Sequence, residues 1–268
     1  MTADRVPLDE AALRADVLGV SAVWRQLDVV AETRSTNADL LARAASQDVD
    51  GAVLLAEHQT AGRGRQGRSW SAAPHAQITM SVAVDTGSVP SRAWGWLPLA
   101  TGLAVVDAVS ELGVDAHLKW PNDVLAGGGK LAGILAEVAQ RVVVIGVGLN
   151  VSVRGAEIGI PEAISLTELG VGSPDRQRIV GRVLAHLGNR IDAWRTAHGA
   201  DERLLGDYRA RSSTLGQQVR AVLPGGNEVV GTAQDIDDGG RLVIVADDRT
   251  VTVAAGDIVH LRPAGESS

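Results

Sequence analysis

Apolar positions along the first two hundred residues switch repeatedly between helical spacing and strand alternation. Residues 8–18 repeat apolar side chains every three to four positions and predict a helix, and residues 25–31 predict a strand. Ser35-Thr36-Asn37 ahead of Leu40, Leu41 and Ala44 reads as an N-cap opening an amphipathic helix. Residues 51–57 form a short apolar strand, 58–75 are polar and glycine-rich, and 77–84 alternate as a strand. An apolar helix is expected over 91–112, short strands and turns over 116–151, and helices again over 174–212. After Thr214 the texture changes. Strands are expected over 219–223, 228–233, 242–245, 250–253 and 258–261, parted by Pro-Gly-Gly, Asp-Asp-Gly-Gly and Asp-Asp. The pattern therefore predicts an α+β domain over 1–212 and a small all-β barrel over 213–268.

Composition narrows the function classes. The chain has no cysteine, so disulfides, thiolate metal sites and cysteine nucleophiles are excluded. The six histidines show no metal-ligand spacing, no metal site is expected among the side chains, and no serine lies in a G-x-S-x-G elbow. A net charge of −7 argues against DNA as a partner. The longest apolar run, residues 93–106, falls short of the roughly 20 residues of a membrane span and is read as a buried helix. The N-terminus has no signal-peptide pattern, and a cytoplasmic address is expected. Among 25 basic residues only Lys119 and Lys130 are lysines, and both fall inside distinctive motifs. They are either chance survivors of an arginine bias or point charges kept for chemistry.

The strongest local signal is Gly62-Arg63-Gly64-Arg65-Gln66-Gly67-Arg68, followed at one remove by Trp70. Glycine lets backbone N–H groups approach an anion, each guanidinium offers a bidentate fork to phosphate or carboxylate, and an indole offers a face for a base. Such a loop should repel itself and stay mobile until an anion arrives; a merely solvated arginine-rich loop is the plain alternative. Its match to G-x-G-x-x-G is a decoy, because no helix follows. Gly129-Lys130-Leu131 lacks the Ser or Thr of a Walker A loop.

Lys119-Trp120-Pro121-Asn122-Asp123 reads as an extended segment ending in a turn that could aim Asn122 and Asp123 into a site. Lys130-Leu131-Ala132-Gly133-Ile134-Leu135 places a lone cation after three glycines and before a strand. In Gly146-Val147-Gly148-Leu149-Asn150, two glycines interrupt an apolar strand, which marks either a bulge or a ligand lying against the backbone.

Together these segments, in this order, resemble the biotin–protein ligase family. The likeness covers residues 30–150, and the C-terminal strands fit that family's SH3-like barrel behind a mixed-sheet catalytic domain of the biotin/lipoate ligase type. It implies activation of biotin by ATP with Mg2+, giving biotinyl-5′-AMP, and transfer to a lysine of a biotin carboxyl carrier domain of a carboxylase. It also implies roles. Ser35, Thr36, Asn37, Gln59, Gly62, Arg63, Gly133, Gly146 and Gly148 would bind biotin. Arg65, Arg68, Trp70, Asn122 and Asn150 would bind the nucleotide. Lys130 would neutralise both substrates, Arg65 would assist it, and Asp123 would orient or deprotonate the acceptor amine.

Some relatives carry an N-terminal winged helix-turn-helix and repress transcription; only about 30 residues precede the first motif here, so a form without DNA binding is expected. Lipoate–protein ligases share the fold and the acyl-adenylate logic, while octanoyltransferases need the cysteine this chain lacks. A repressor and an inactive biotin or nucleotide binder are the readings from other classes.

Overall fold

The computed structural model describes residues 5–19, 21–71, 73–87, 89–223, 226–247, 249–254 and 257–260. Helix α1 (Glu10–Leu18) precedes β1 (Gln26–Thr33), α2 (Thr36–Ala44) and β2 (Ala52–Gln59). Two short strands, β3 (Gly62–Arg63) and β4 (Ser69–Trp70), flank a single 3-10 turn and lead to β5 (Gln77–Asp85). Helix α3 (Trp96–Ser110) is followed by β6 (Ala116–Lys119), β7 (Asp123–Ala126), β8 (Gly129–Ala139) and β9 (Val142–Asn150). Then come α4 (Gly155–Ile158), α5 (Arg176–Thr196) and α6 (Glu202–Arg211). The chain closes with β10 (Gln218–Val222), β11 (Glu228–Ile236), β12 (Leu242–Ala246), β13 (Arg249–Val253) and β14 (Asp257–His260).

Helix starts follow from local chemistry. Asp9, Ser35, Asp175 and Asp201 are N-caps whose side chains each accept from a backbone N–H three residues on, worth about 1 kcal/mol apiece. The helix expected over 91–112 begins only at Trp96, because Pro90 and Ser91–Ala93 form a separate 3-10 turn. Pro98 is then in the first helical turn, where its missing N–H has no partner to lose.

The first sheet has the order β1-β2-β5-β9-β8-β7-β6 and is mixed: β1 and β2 are parallel and the other neighbours antiparallel. The short strands expected over 116–151 include one long hairpin, because the glycines that looked like interruptions pair in register, Gly133 with Gly148 and Leu135 with Gly146. One sheet face carries Val53, Leu55, Ile78, Val82, Ile145 and Leu149 into a large core with α1, α3, α5 and α6. Helix α3 is buried on nearly every side within that core, each of its Leu and Val side chains contributing about 2 kcal/mol. The Ser91–Ser110 stretch, apolar enough by length and composition to cross a membrane, is thus part of the interior. The other face packs Leu54, Ala83 and Val144 under Leu40 of α2.

The five C-terminal strands form an antiparallel sheet of order β13-β12-β11-β10-β14. All the expected strands occur; Leu261, expected to end the last one, lies outside the described residues. Val219, Ala221, Ala233 and Ile244 join the large core, so the two parts share one interior. Their backbones also meet closely: a Cβ at Gly95 would sit 2.3 Å from the Gly239 carbonyl oxygen. The indoles of Trp96 and Trp120 donate to the carbonyls of Asp237 and Gly240, each at 3.1 Å.

Candidate active site

The face under α2 changes character along the sheet, and that change makes the site. Paired rows run Ala83–Val144, Ser81–Gly146, Thr79–Gly148 and Gln77–Asn150. The first row is apolar and covered by α2; the next rows are small or polar and leave space above them. A cavity of about 550 Å³ opens there, within the size range of small-molecule sites. Of the residues assigned above to biotin, nucleotide or catalysis, every one but Gly62 lines it. Gly62 acts from behind, since a Cβ there would sit 2.5 Å from the Trp70 carbonyl oxygen and part β3 from β4.

At one end, the first turn of α2 and the strands share a continuous hydrogen-bond network. Gln59 Oε1 accepts from the Thr36 backbone N–H at 2.8 Å and lies 3.1 Å from Thr36 Oγ1. Thr36 Oγ1 lies 2.6 Å from Ser81 Oγ, which donates to Asn37 Oδ1 at 2.6 Å. Asn37 Nδ2 donates to the Leu135 carbonyl at 3.1 Å and to Glu137 Oε2 at 2.9 Å. The Asn37 amide fills the space over Gly146, where a Cβ would come within 2.5 Å of Oδ1.

The arginine–glycine loop folds over this floor. Arg63 is ion-paired with Glu137 at 3.2 Å, and Arg65 Nη1 donates to Asn122 Oδ1 at 3.2 Å. These partners offset the self-repulsion expected of the isolated loop. The Trp70 indole lies on the glycine floor: Cβ atoms on Gly148 and Gly133 would sit 2.3 and 2.9 Å from its ring. The backbone expected to face a ligand at Gly146 and Gly148 is thus covered here by Asn37 and Trp70.

The opposite wall carries the chemistry-bearing pair. Asp123 pairs with Gly133 across the β7–β8 hairpin, and Leu125 pairs with Lys130 after a register shift. Gly133 and Lys130 are three apart, which in a regular strand puts them on opposite faces. The extra residue of the bulge, Leu131, turns inward and is fully buried, bringing Lys130 onto the face of Asp123. Lys130 Nζ lies 2.6 Å from Asp123 Oδ1 and 5.8 Å from the Trp70 ring centre. Its backbone is held too, the N–H donating to Glu162 and the carbonyl accepting from Ile164 and from Asn150 Nδ2.

Two expectations need amendment. Asn150 lines the wall, but Nδ2 donates to the carbonyls of Lys130 and Ile164 at 3.1 Å each, and Oδ1 accepts from Gln77 at 2.7 Å. Both Nδ2 protons are committed, so it braces Lys130, and only Oδ1 keeps a lone pair to offer. Asn122 is half-committed, donating to the Ile134 carbonyl at 3.1 Å and accepting from Arg65. β6 ends at Lys119, and the Trp120–Pro121 peptide that follows is cis.

Sequence reasoning missed Ser81, Glu137, Glu162 and, from the C-terminal sheet, Ile258 and Val259. Polar residues at alternate positions of the otherwise apolar β5, Gln77, Thr79 and Ser81, were a readable signal. The Ile258-Val259 pair of β14 carried none. His260, which ends that strand, lies 3.2 Å from Thr214 Oγ1, which accepts from the Trp120 N–H at 3.1 Å. Burial and the nearby Lys119 cation hold its imidazole below the usual histidine range.

Residues 29–153 match the Biotin/lipoate A/B protein ligase family, and residues 214–261 match the Biotin protein ligase C terminal domain. The biotin–acetyl-CoA-carboxylase ligase of Mycobacterium tuberculosis is 60% identical over 96% of this chain and 97% of that protein. The chain belongs to the biotin–protein ligase family. The bifunctional ligase/repressor BirA of Bacillus subtilis is 29% identical over 92% of this chain and 76% of that one. Biotin protein ligase from Aquifex aeolicus, solved in complex with biotin and ATP, aligns with a TM-score of 0.75 and 25% identity, over 90% of this chain and all of that one. As a biotin–protein ligase family member, the chain is an enzyme of the ligase class, with the mixed-sheet domain and C-terminal β-module that its strand pattern predicts.

Proposed function

We propose that this enzyme condenses biotin with ATP to biotinyl-5′-AMP and pyrophosphate, then transfers the biotinyl group to a lysine of a biotin carboxyl carrier domain. Acyl-CoA carboxylases such as acetyl-CoA carboxylase are the acceptor class. The observation that carries this reading is the gathering, around one cavity, of a polar end at Thr36 and Gln59, a cation at Lys130 and the arginines 63, 65 and 68. Residues 1–212 form the catalytic unit and 213–268 the module that closes it.

In the first step a biotin carboxylate oxygen attacks the α-phosphorus, and the bond to pyrophosphate breaks. Both reactants are anions, so much of the barrier is charge repulsion. Lys130 lies between them and neutralises both as they approach. Arg65 and Arg68 hold phosphate oxygens, and closure of their loop keeps water from the mixed anhydride. Thr36, Gln59 and the Arg63 backbone hold the ureido ring, with Ser35, Asn37, Gly62, Gly133, Gly146 and Gly148 shaping the space. Trp70 and Asn122 take the adenine, with Asn150 bracing Lys130 from behind. In the second step the acceptor amine attacks the biotinyl carbonyl, AMP leaves, and Asp123 orients the amine or takes its proton. Among the described residues no three His, Cys, Asp or Glu side chains gather as a metal site. The Mg2+ that accompanies ATP would rest largely on the nucleotide's own phosphates and water, as this ion does when it travels with a nucleotide.

Exchange of labelled pyrophosphate into ATP tests this, with biotin, lipoate and octanoate in parallel. Exchange with biotin alone supports the reading. Exchange with another acid instead replaces the substrate, and no exchange with any acid removes the adenylation step.

A further inference from the structure

The network at the closed end of the cavity has a direction that its atoms dictate. The Leu135 carbonyl and the Glu137 carboxylate can only accept, so Asn37 must face them with Nδ2, at 3.1 and 2.9 Å. Asn37 Oδ1 then faces Ser81 and can only accept, which takes the one Ser81 hydroxyl proton at 2.6 Å. Ser81 Oγ must in turn receive the Thr36 hydroxyl proton across 2.6 Å. The alternative sends that proton to Gln59 Oε1, 3.1 Å away. It would leave two buried hydroxyl oxygens 2.6 Å apart with no proton between them, and that is the costlier arrangement.

Thr36 Oγ1 and Gln59 Oε1 are thereby left side by side at the cavity wall, 3.1 Å apart, both presenting lone pairs. A pair of acceptors without a proton between them calls for a donor from the ligand. We propose that Ser81 and Glu137 are positioning residues that fix Thr36 Oγ1 as an acceptor, and so select a ligand whose ring carries an N–H, as a cyclic urea does. The proposal rests on the biotin reading and adds to it. Specificity for the ring N–H comes from a relay that starts at a carboxylate beyond the ligand's reach and passes through the buried serine. Arg63, which also donates to Glu137 at 3.2 Å, ties the arginine–glycine loop to the same anchor.

The test is pyrophosphate exchange titrated with biotin, and separately with ATP, for the wild type, Ser81→Ala, Glu137→Ala and Glu137→Gln. Loss of Ser81 releases the Thr36 proton to Gln59, and the biotin KM rises about tenfold while kcat and the ATP KM stay within about twofold. Glu137→Ala raises the biotin KM several-fold, and Glu137→Gln, whose carbonyl oxygen can take the place of the carboxylate, recovers it. A biotin KM within about twofold of wild type in Ser81→Ala overturns the relay. Equal damage from Glu137→Ala and Glu137→Gln overturns the assigned role of Glu137 as an acceptor, as do matching rises in both substrates' KM. Failure of the wild type to use biotin at all would fall on the proposed function instead.

Discussion

The Lys130 ammonium and the Asp123 carboxylate sit 2.6 Å apart because a one-residue bulge at Leu131 puts them on one face of a hairpin. The pair is half-exposed on the cavity wall, where an incoming anion can compete with Asp123 for the cation. Lys130→Ala should lower pyrophosphate exchange by at least about a hundredfold. Lys130→Arg should rescue little, because a planar fork cannot take the place of a point charge packed between Asp123 and Trp70. Exchange rates within about tenfold of wild type for the alanine variant would move the charge-neutralising role elsewhere.

Gly148 supports Trp70 directly, so a single methyl group there should act through the indole. The Cβ of Gly148→Ala would sit 2.3 Å from Trp70 Cε2, and the neighbouring ring atoms are nearly as close. The ring must lift from β9, which disturbs the cavity floor without removing any charge. Substrate KM values should rise by about tenfold or more, while thermal stability changes by about 1 kcal/mol. A variant with wild-type KM values would show that the floor at this point is not part of the binding surface.

Glu57 makes a pH-dependent contribution to stability. It is ion-paired with Arg176 at 2.7 Å, both side chains being buried, and it accepts from the Leu8 N–H. Burial alone would push its carboxyl up, but Arg176 and the Leu8 N–H outweigh burial and hold it below its ordinary value of 4.5. A lowered folded-state value means that the unfolded chain takes up protons first as pH falls. The stabilisation is therefore complete above the ordinary carboxylate value and drains away as pH drops through the folded one. Glu57→Gln should cost about 3 kcal/mol at neutral pH, because it strands a buried guanidinium. Denaturation of both proteins at several pH values should show the gap narrowing as pH falls below the ordinary value of 4.5; a gap that is constant in pH would refute the linkage.

Legibility in the sequence followed locality. The loop at 62–68, the Lys119–Asp123 turn and the lone Lys130 could be found because rare residue types cluster within a few positions. Strand alternation likewise exposed both sheets, and even the polar run Gln77, Thr79, Ser81 was visible once β5 was drawn. Other features depend on register between distant segments. Nothing near Leu131 announces a bulge, and nothing near Glu57 names Arg176 as its partner. Asn150 looked like a ligand contact because its motif is local, whereas its three hydrogen bonds reach Gln77, Lys130 and Ile164. Ile258 and Val259 joined the cavity only because the second sheet packs against the Lys119–Pro121 turn.

That packing yields the last prediction. Gly240 has φ +77°, and a Cβ there would sit 2.7 Å from the Gly95 carbonyl carbon, with no flexible side chain available to give way. The same residue's carbonyl receives the Trp120 indole N–H, which anchors the turn leading to Asn122 and Asp123. Gly240→Ala therefore combines an unfavourable backbone conformation with a clash between two backbones. It should destabilise the enzyme by about 2–4 kcal/mol. Because the strain falls at the junction, calorimetry should show the C-terminal sheet melting ahead of the rest. Trp120→Phe removes the hydrogen bond and leaves a cavity where the larger indole was buried, and should cost about 2–4 kcal/mol while weakening adenylation through the loosened turn. If Gly240→Ala melts in one unchanged transition, the junction is not what holds the second sheet against the cavity.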